Sequence, residues 1–236
     1  MRFLLLLALL SLGGPSSAVL IDSGDGSGNT TAPFPDPGWD YVARRGGSLT
    51  AVYLGDGWVL TANHVGSGPV NLGGVSYDPI PGTDWQLRNA DGSKADLKLF
   101  ALQTYPDWPL LPIASTTPPL GTDVVLIGGG RDRGAATSWD PNGPPPPGPI
   151  GGYLWDVPRT IRWGTNQIED IPSSPIQDTW AIGTLFDAIG AGGTTHEAQA
   201  ANGDSGGAFF VENGGTWELA GIMFVIFIYT GQPADA

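Results

Sequence analysis

A chain of 236 residues with 37 Gly and 22 Pro is still 41% hydrophobic and only 14% charged, so it is not a disordered polymer. Ten Lys and Arg stand against 23 Asp and Glu, and a net charge of −13 repels phosphate backbones, which excludes nucleic acid as a partner. Cysteine is absent, so no disulfide staples the fold, and stability must come from core burial that this length can supply.

The predicted elements begin with an address. Arg2 supplies a positive start, Phe3 to Leu12 a mostly Leu stretch, and Ser16-Ser17-Ala18 a small-residue cleavage site. Residues 1–18 therefore read as a signal peptide, and the protein as secreted or periplasmic. The apolar stretch is too short to span a bilayer well, and no membrane span is expected in the mature chain. Residues 19–39 read as a flexible N-terminal arm with little to bury. Its DSGDGSGN stretch spaces acids as a calcium loop does but lacks the closing bidentate acid, so it reads as solvated linker. Asn29-Thr30-Thr31 is a glycosylation sequon, meaningful only in a cell that glycosylates in this way.

Ser48–Leu54 and Trp58–Ala62 read as strands around Gly55-Asp56-Gly57, a hairpin signal. Further strand-like runs are Asp84–Arg88, Leu97–Leu102, Thr122–Ile127, Thr160–Trp163, Thr179–Gly183, Gly207–Val211 and Trp217–Tyr229. Pro112–Pro119 reads as a linker between halves, and Asn142–Pro149 as a stiff surface loop. No segment sustains a helical apolar period. The expected fold is all-β: a first barrel over 40–116 and a second over 117–236, both small, closed and packed together.

Three short segments carry chemistry. Leu60-Thr61-Ala62-Asn63-His64-Val65 ends a strand with a His, Ala95-Asp96-Leu97-Lys98-Leu99-Phe100 opens an alternating strand with an Asp, and Gly203-Asp204-Ser205-Gly206-Gly207 sets a Ser among glycines. A Ser hydroxyl becomes a useful nucleophile only when a base takes its proton, and imidazole titrates in the right range. A carboxylate fixes the imidazole tautomer and stabilises the imidazolium that forms. Flanking glycines let backbone N–H groups converge on a developing oxyanion. His196, the other histidine, reads as a loop residue, and the nine Trp as packing and surface rings.

Together these segments resemble the chymotrypsin-like serine endopeptidases, in a cysteine-free form of bacterial type. TANHV is similar to that family's TAAHC, ADLKLF to its strand headed by the triad Asp, and GDSGG matches in full, in the family's order of His, Asp, Ser. The resemblance implies two Greek-key, six-stranded-type barrels, with His64 as general base, Asp96 as orienting acid and Ser205 as nucleophile. It implies Gly203 and Ser205 as the oxyanion donors, and Asp204 as the acid that pairs with a freed N-terminal amine and orders the oxyanion loop. It also implies peptide or protein substrates, no cofactor, no metal and a monomer.

The same resemblance marks departures. Gln199 stands where the family sets pocket specificity, and its lack of charge argues against cleavage after Lys or Arg. Phe224, Val225 and Ile226 stand where the family has Ser, Trp and Gly, so the pocket mouth is expected to be narrow. The Phe also removes a hydroxyl that usually supports the triad Asp. The chain runs only to Ala236 after Ser205, so the second barrel is expected to be incomplete and the sequence a piece of a longer product. Val19, exposed by signal removal, and the Arg44-Arg45-Gly46-Gly47 segment are alternative processing points, and a zymogen step stays open. The expected function is a secreted serine endopeptidase; the alternatives are a catalytically weakened, protease-like binding module and, on the Trp count alone, a carbohydrate-binding β domain.

Overall fold

Every regular element in the computed structural model, which describes residues 19–140, 150–188, 191–228 and 231–236, is eight residues long or shorter. Gly and Pro punctuation dictates that brevity. The signal-peptide reading of 1–18 and the Pro-rich loop at 142–149 lie outside the described residues.

A short β1 (Leu20–Ile21) and a single 3₁₀ turn (Trp39–Tyr41) precede the first sheet. Its strands are β2 (Val42–Arg45), β3 (Leu49–Gly55), β4 (Trp58–Ala62), β5 (Val70–Leu72), β6 (Val75–Tyr77), β7 (Trp85–Arg88) and β8 (Lys94–Ala101). They pair antiparallel in the order β6-β5-β2-β3-β4-β8-β7. The expected hairpin joins β3 to β4, with Asp56 at φ 47° and Gly57 at φ 80°, the left-handed pair that a tight turn requires. The second half holds β9 (Asp123–Gly128), β10 (Asp132–Trp139), β11 (Ile150–Asp156), β12 (Arg162–Gln167), β13 (Ala198–Gln199), β14 (Ala208–Asn213) and β15 (Thr216–Ile222). Four of these form an antiparallel sheet in the order β12-β9-β14-β15, while β10 pairs β11 and β13 pairs β1. The all-β expectation holds. Neither large sheet closes on itself among the described residues, so open sheets stand where closed barrels were expected.

Alternation along the strands builds the core. On β9, Val124 and Leu126 enter one apolar cluster while Val125 and Ile127 enter another; on β14, Phe209 and Val211 divide from Ala208 and Phe210 in the same way. Successive strand residues face opposite ways, so these two strands are apolar on both faces. One cluster belongs to the second half and includes Ile168, Ala198 and Met223. The other bridges the halves: Val42, Val52, Ala62 and Leu111 meet Ile127, Phe210 and Leu219. A third, with Tyr53, Val59, Phe100 and Leu102, is the first half's own.

Three sequence expectations need correction. Val19, Leu20 and Ile21 are buried, and Leu20 pairs with Gln199, because this apolar triplet opens an otherwise Gly-rich arm. Thr179–Gly183 forms no strand, only isolated bridges between Ile176 and Thr179 and between Asp170 and Gly183. The run from Trp217 ends its pairing at Ile222, because Met223 turns its N–H to Gly207 O and its carbonyl to Gly206 N–H instead.

Candidate active site

The loop after β4 and the body of β8 set the first pair of groups. β4 and β8 are antiparallel with Ala62 opposite Leu97, so the residue before Leu97 lies beside the chain leaving β4. There Asn63 N–H donates to Asp96 O at 3.1 Å and His64 N–H to Asp96 Oδ1 at 2.9 Å. Asp96 Oδ2 lies 2.6 Å from His64 Nδ1. A carboxylate accepts, so the contact sets Nδ1–H toward Asp96 and leaves Nε2 to other partners. Asp96 is mostly covered and His64 half exposed, at 17% and 47% of the side chain. The Asp96 N–H donates to Thr179 Oγ1 at 2.7 Å, which seats the second half's loop against the acid.

The Ser205 loop precedes β14. Gly203 adopts φ 101° and Gly206 φ 87°, conformations that L side chains resist, and a Cβ on Gly206 would run into Thr50 O and Thr61 Oγ1. Gly206 is thus demanded twice, by backbone angle and by the first sheet's approach. Asp204 is fully buried between them. Its Oδ1 takes Gly130 N–H and its Oδ2 takes Ala201 N–H, each at 2.7 Å. Burial outweighs those bonds and pushes its carboxyl up to about 7. Asn202 O accepts from Arg131 N–H at 2.9 Å and from the Arg159 guanidinium at 3.3 Å, while Arg159 also reaches Ser48 O at 2.6 Å.

These bonds leave two donors over. Among the described residues the N–H groups of Gly203 and Ser205 have no hydrogen-bond acceptor. They are the pair expected from sequence to hold an oxyanion. No hydrogen bond joins the Ser205 hydroxyl to His64 among the described residues; such contacts often tighten only when substrate arrives.

A cavity of about 120 Å³ opens beside Ser205, walled by Ala200, Ala201, Met223, Phe224, Val225 and Ile226. Phe224, Val225 and Ile226, three of the four residues expected to form the substrate pocket, thus share this cavity with Ser205. Gln199 does not line this cavity. It faces an adjoining apolar cleft of about 1030 Å³ that also touches Leu97, Trp180 and Phe227. The Arg44-Arg45-Gly46-Gly47 segment lies in the β2–β3 hairpin, with Arg44 opposite Thr50 and Arg45 opposite Leu49. No group of three or more His, Cys, Asp or Glu among the described residues could hold a metal ion. Sequence reasoning missed Thr50, Gly129, Arg131 and Arg159, whose roles come from contacts between distant segments and leave no local pattern.

No family model matches the chain, and no curated protein matches it. Solved structures do. Neuropsin, a serine protease expressed in the limbic system of mouse brain, superposes with a TM-score of 0.53 at 21% identity, covering 87% of this chain and 89% of its own. The fold is chymotrypsin-like. The inactive form of the Rv3671c protease also matches, with a TM-score of 0.46 at 18% identity over 79% of this chain and 78% of its own. No helix among the described residues is long and apolar enough to cross a membrane. The Ser205 loop meets the first sheet at β3, where Thr50 N–H donates to Ser205 O at 3.2 Å.

Proposed function

We propose that the protein is an exported serine endopeptidase that hydrolyses peptide bonds through an acyl-enzyme. The observation that carries this reading is the hold of Asp96 on His64 Nδ1 at 2.6 Å, just past β4, whose Thr61 lies against Gly206. In the proposed cycle His64 Nε2 takes the Ser205 proton as Oγ attacks the carbonyl carbon, and the carbonyl oxygen becomes the oxyanion. Gly203 and Ser205 N–H groups receive that charge. The protonated His64 then gives its proton to the departing amine, leaving Ser205 acylated. Water attacks the ester with His64 again as base, releasing the acid and restoring Ser205. Asp96 holds the ring through Nδ1 and stabilises the imidazolium.

A fluorophosphonate probe tests the reading. Intact protein is expected to be labelled at Ser205 and the Ser205→Ala variant not at all. Folded protein that stays unlabelled near neutral pH would end the hydrolase reading. A second reading, a protease-like binding module, is favoured by the missing Ser205–His64 hydrogen bond and the narrow cavity. Peptide-library turnover separates the two, since a binding module saturates without forming product.

A further inference from the structure

Thr50 is a fully buried polar residue near the start of the apolar strand β3, and it uses every hydrogen-bonding atom it has. Its hydroxyl donates to Gly203 O at 3.1 Å and accepts from Gly129 N–H at 3.0 Å. Its backbone N–H donates to Ser205 O at 3.2 Å, and its carbonyl accepts from the Thr61 hydroxyl at 2.8 Å. Thr61 lies on β4, the strand that ends just before His64. One side chain and its backbone therefore join the strand leading to the base, the end of β9 and both ends of the Gly203–Ser205 segment.

We propose that the Thr50 hydroxyl is a positioning group for the oxyanion donors. This role rests on the serine endopeptidase reading. Gly203 sits at φ 101° and has no side chain to be gripped, so its carbonyl is the handle by which the loop can be held. That carbonyl belongs to the peptide between the two whose N–H groups are unpartnered. In a planar trans peptide the C=O and N–H point opposite ways, so orienting one group orients the other. Asn202 O is tied to Arg131 and Arg159, and Asp204 O takes Gly207 N–H at 2.7 Å, which aims the two donor peptides. Thr50 ties the linking peptide between them to the first sheet. Its Oγ1 is also anchored by Gly129 N–H, so the hydroxyl cannot turn aside. The other side of that linking peptide is held by Asp204 N–H on Ala201 O at 3.0 Å, so without the hydroxyl the peptide would tilt on that single bond and shift the two donor peptides it links. Thr50 touches no substrate atom; it acts through Gly203.

Two substitutions separate this from a packing role. Thr50→Val keeps the shape and removes the hydroxyl, leaving Gly129 N–H and Gly203 O unpaired, whereas Thr50→Ser keeps the hydroxyl and removes a methyl. The readout is fluorophosphonate labelling resolved into a maximal rate and a half-saturating concentration, beside a thermal melt. Thr50→Val is expected to lower the maximal rate by about tenfold or more with the half-saturating concentration within about twofold, and Thr50→Ser to stay within about threefold in both. A folded Val variant labelled at the wild-type rate overturns the role. So does a Ser variant that falls as far as Val, which would make the methyl the operative group. If the Val variant does not fold, the Ser variant alone decides, since a tenfold loss there contradicts the hydroxyl's role. Wild-type protein that is never labelled would overturn the peptidase reading itself and this role with it; a labelled wild type with an undisturbed Val variant overturns only the role of Thr50.

Discussion

Asp96 holds His64 by two atoms at once, taking the backbone N–H on Oδ1 at 2.9 Å and meeting ring Nδ1 on Oδ2 at 2.6 Å. One carboxylate thus fixes both the loop after β4 and the face of the imidazole. Asp96→Asn can satisfy only part of this, because an amide nitrogen set against Nδ1 would donate and force the other tautomer. Labelling and turnover are expected to fall about 10³–10⁴-fold with little change in the melting temperature. A variant within tenfold of wild type would show that Asp96 does not orient the base.

Asp204 makes a pH prediction. Its folded carboxyl is pushed up to about 7 by burial from an ordinary 3.8, so between those values the folded state holds a proton that the unfolded state has released. Stability from this residue is therefore greatest in acid and is lost as pH rises through about 7. Asp204→Asn cannot ionise, so its melting temperature should decline less than the wild type's between about pH 4 and pH 7.5. Parallel melting curves across that range would mean that Asp204 is ionised throughout.

On the proposed peptidase reading, cleavage preference would be set by the cavity beside Ser205. At about 120 Å³ it is smaller than the roughly 150 Å³ apolar cavity that accommodates a benzene ring, and its Ala, Met, Phe, Val and Ile walls offer no partner for a cation. The residue before the scissile bond is expected to be Ala, Val or Leu. Ile226→Gly should widen the mouth and shift profiling toward Phe and Tyr. Strong selection for Lys or Arg by the wild type would refute the pocket assignment.

The shared cluster between halves makes a stability prediction. Phe210 is fully buried and packs in the cluster with Val52 and Ala62 of the first sheet. Phe210→Ala should cost about 3–5 kcal/mol of unfolding free energy and reduce labelling, because the same cluster joins the halves that carry His64 and Ser205. Destabilisation below about 1 kcal/mol would place the cohesion of the halves elsewhere.

Val19 carries a prediction about processing. It is fully buried in the cluster that includes Ala198 and Met223, just ahead of β1, whose Leu20 pairs with Gln199. Protein prepared to start at Val19 is expected to label faster than protein with a Gly-Ser extension ahead of it. Equal rates would show that the amine of Val19 has no part in ordering the Ser205 loop.

The His64, Asp96 and Ser205 segments were legible because each is a short local pattern. The β3–β4 turn was equally plain, since Gly55-Asp56-Gly57 needs left-handed angles that few residues adopt. Other features were hidden. β10 reads Asp-Arg-Gly-Ala-Ala-Thr-Ser-Trp, with no apolar alternation to announce it, and it forms by pairing with β11 across the 141–149 segment. Val19 to Ile21 are too few to show a period beside the Gly-rich residues that follow. Thr50 looks like any β-branched strand residue, and its partner Gly203 lies 153 positions away. Such contacts are set by how two sheets dock, and no window of sequence contains them.

The two-faced strands β9 and β14 have a consequence for quality control during folding. On a strand with one wet face, a slip of one position exposes a greasy row and announces the error. On β9 a slip would exchange Val124 and Leu126 for Val125 and Ile127, apolar for apolar, so polarity cannot police alignment there. Side-chain shape must do it. A chain misaligned at β9 would be as collapsed as the native one and would betray itself by loose packing, and a dye that reads molten interiors would find it where a measure of size would not.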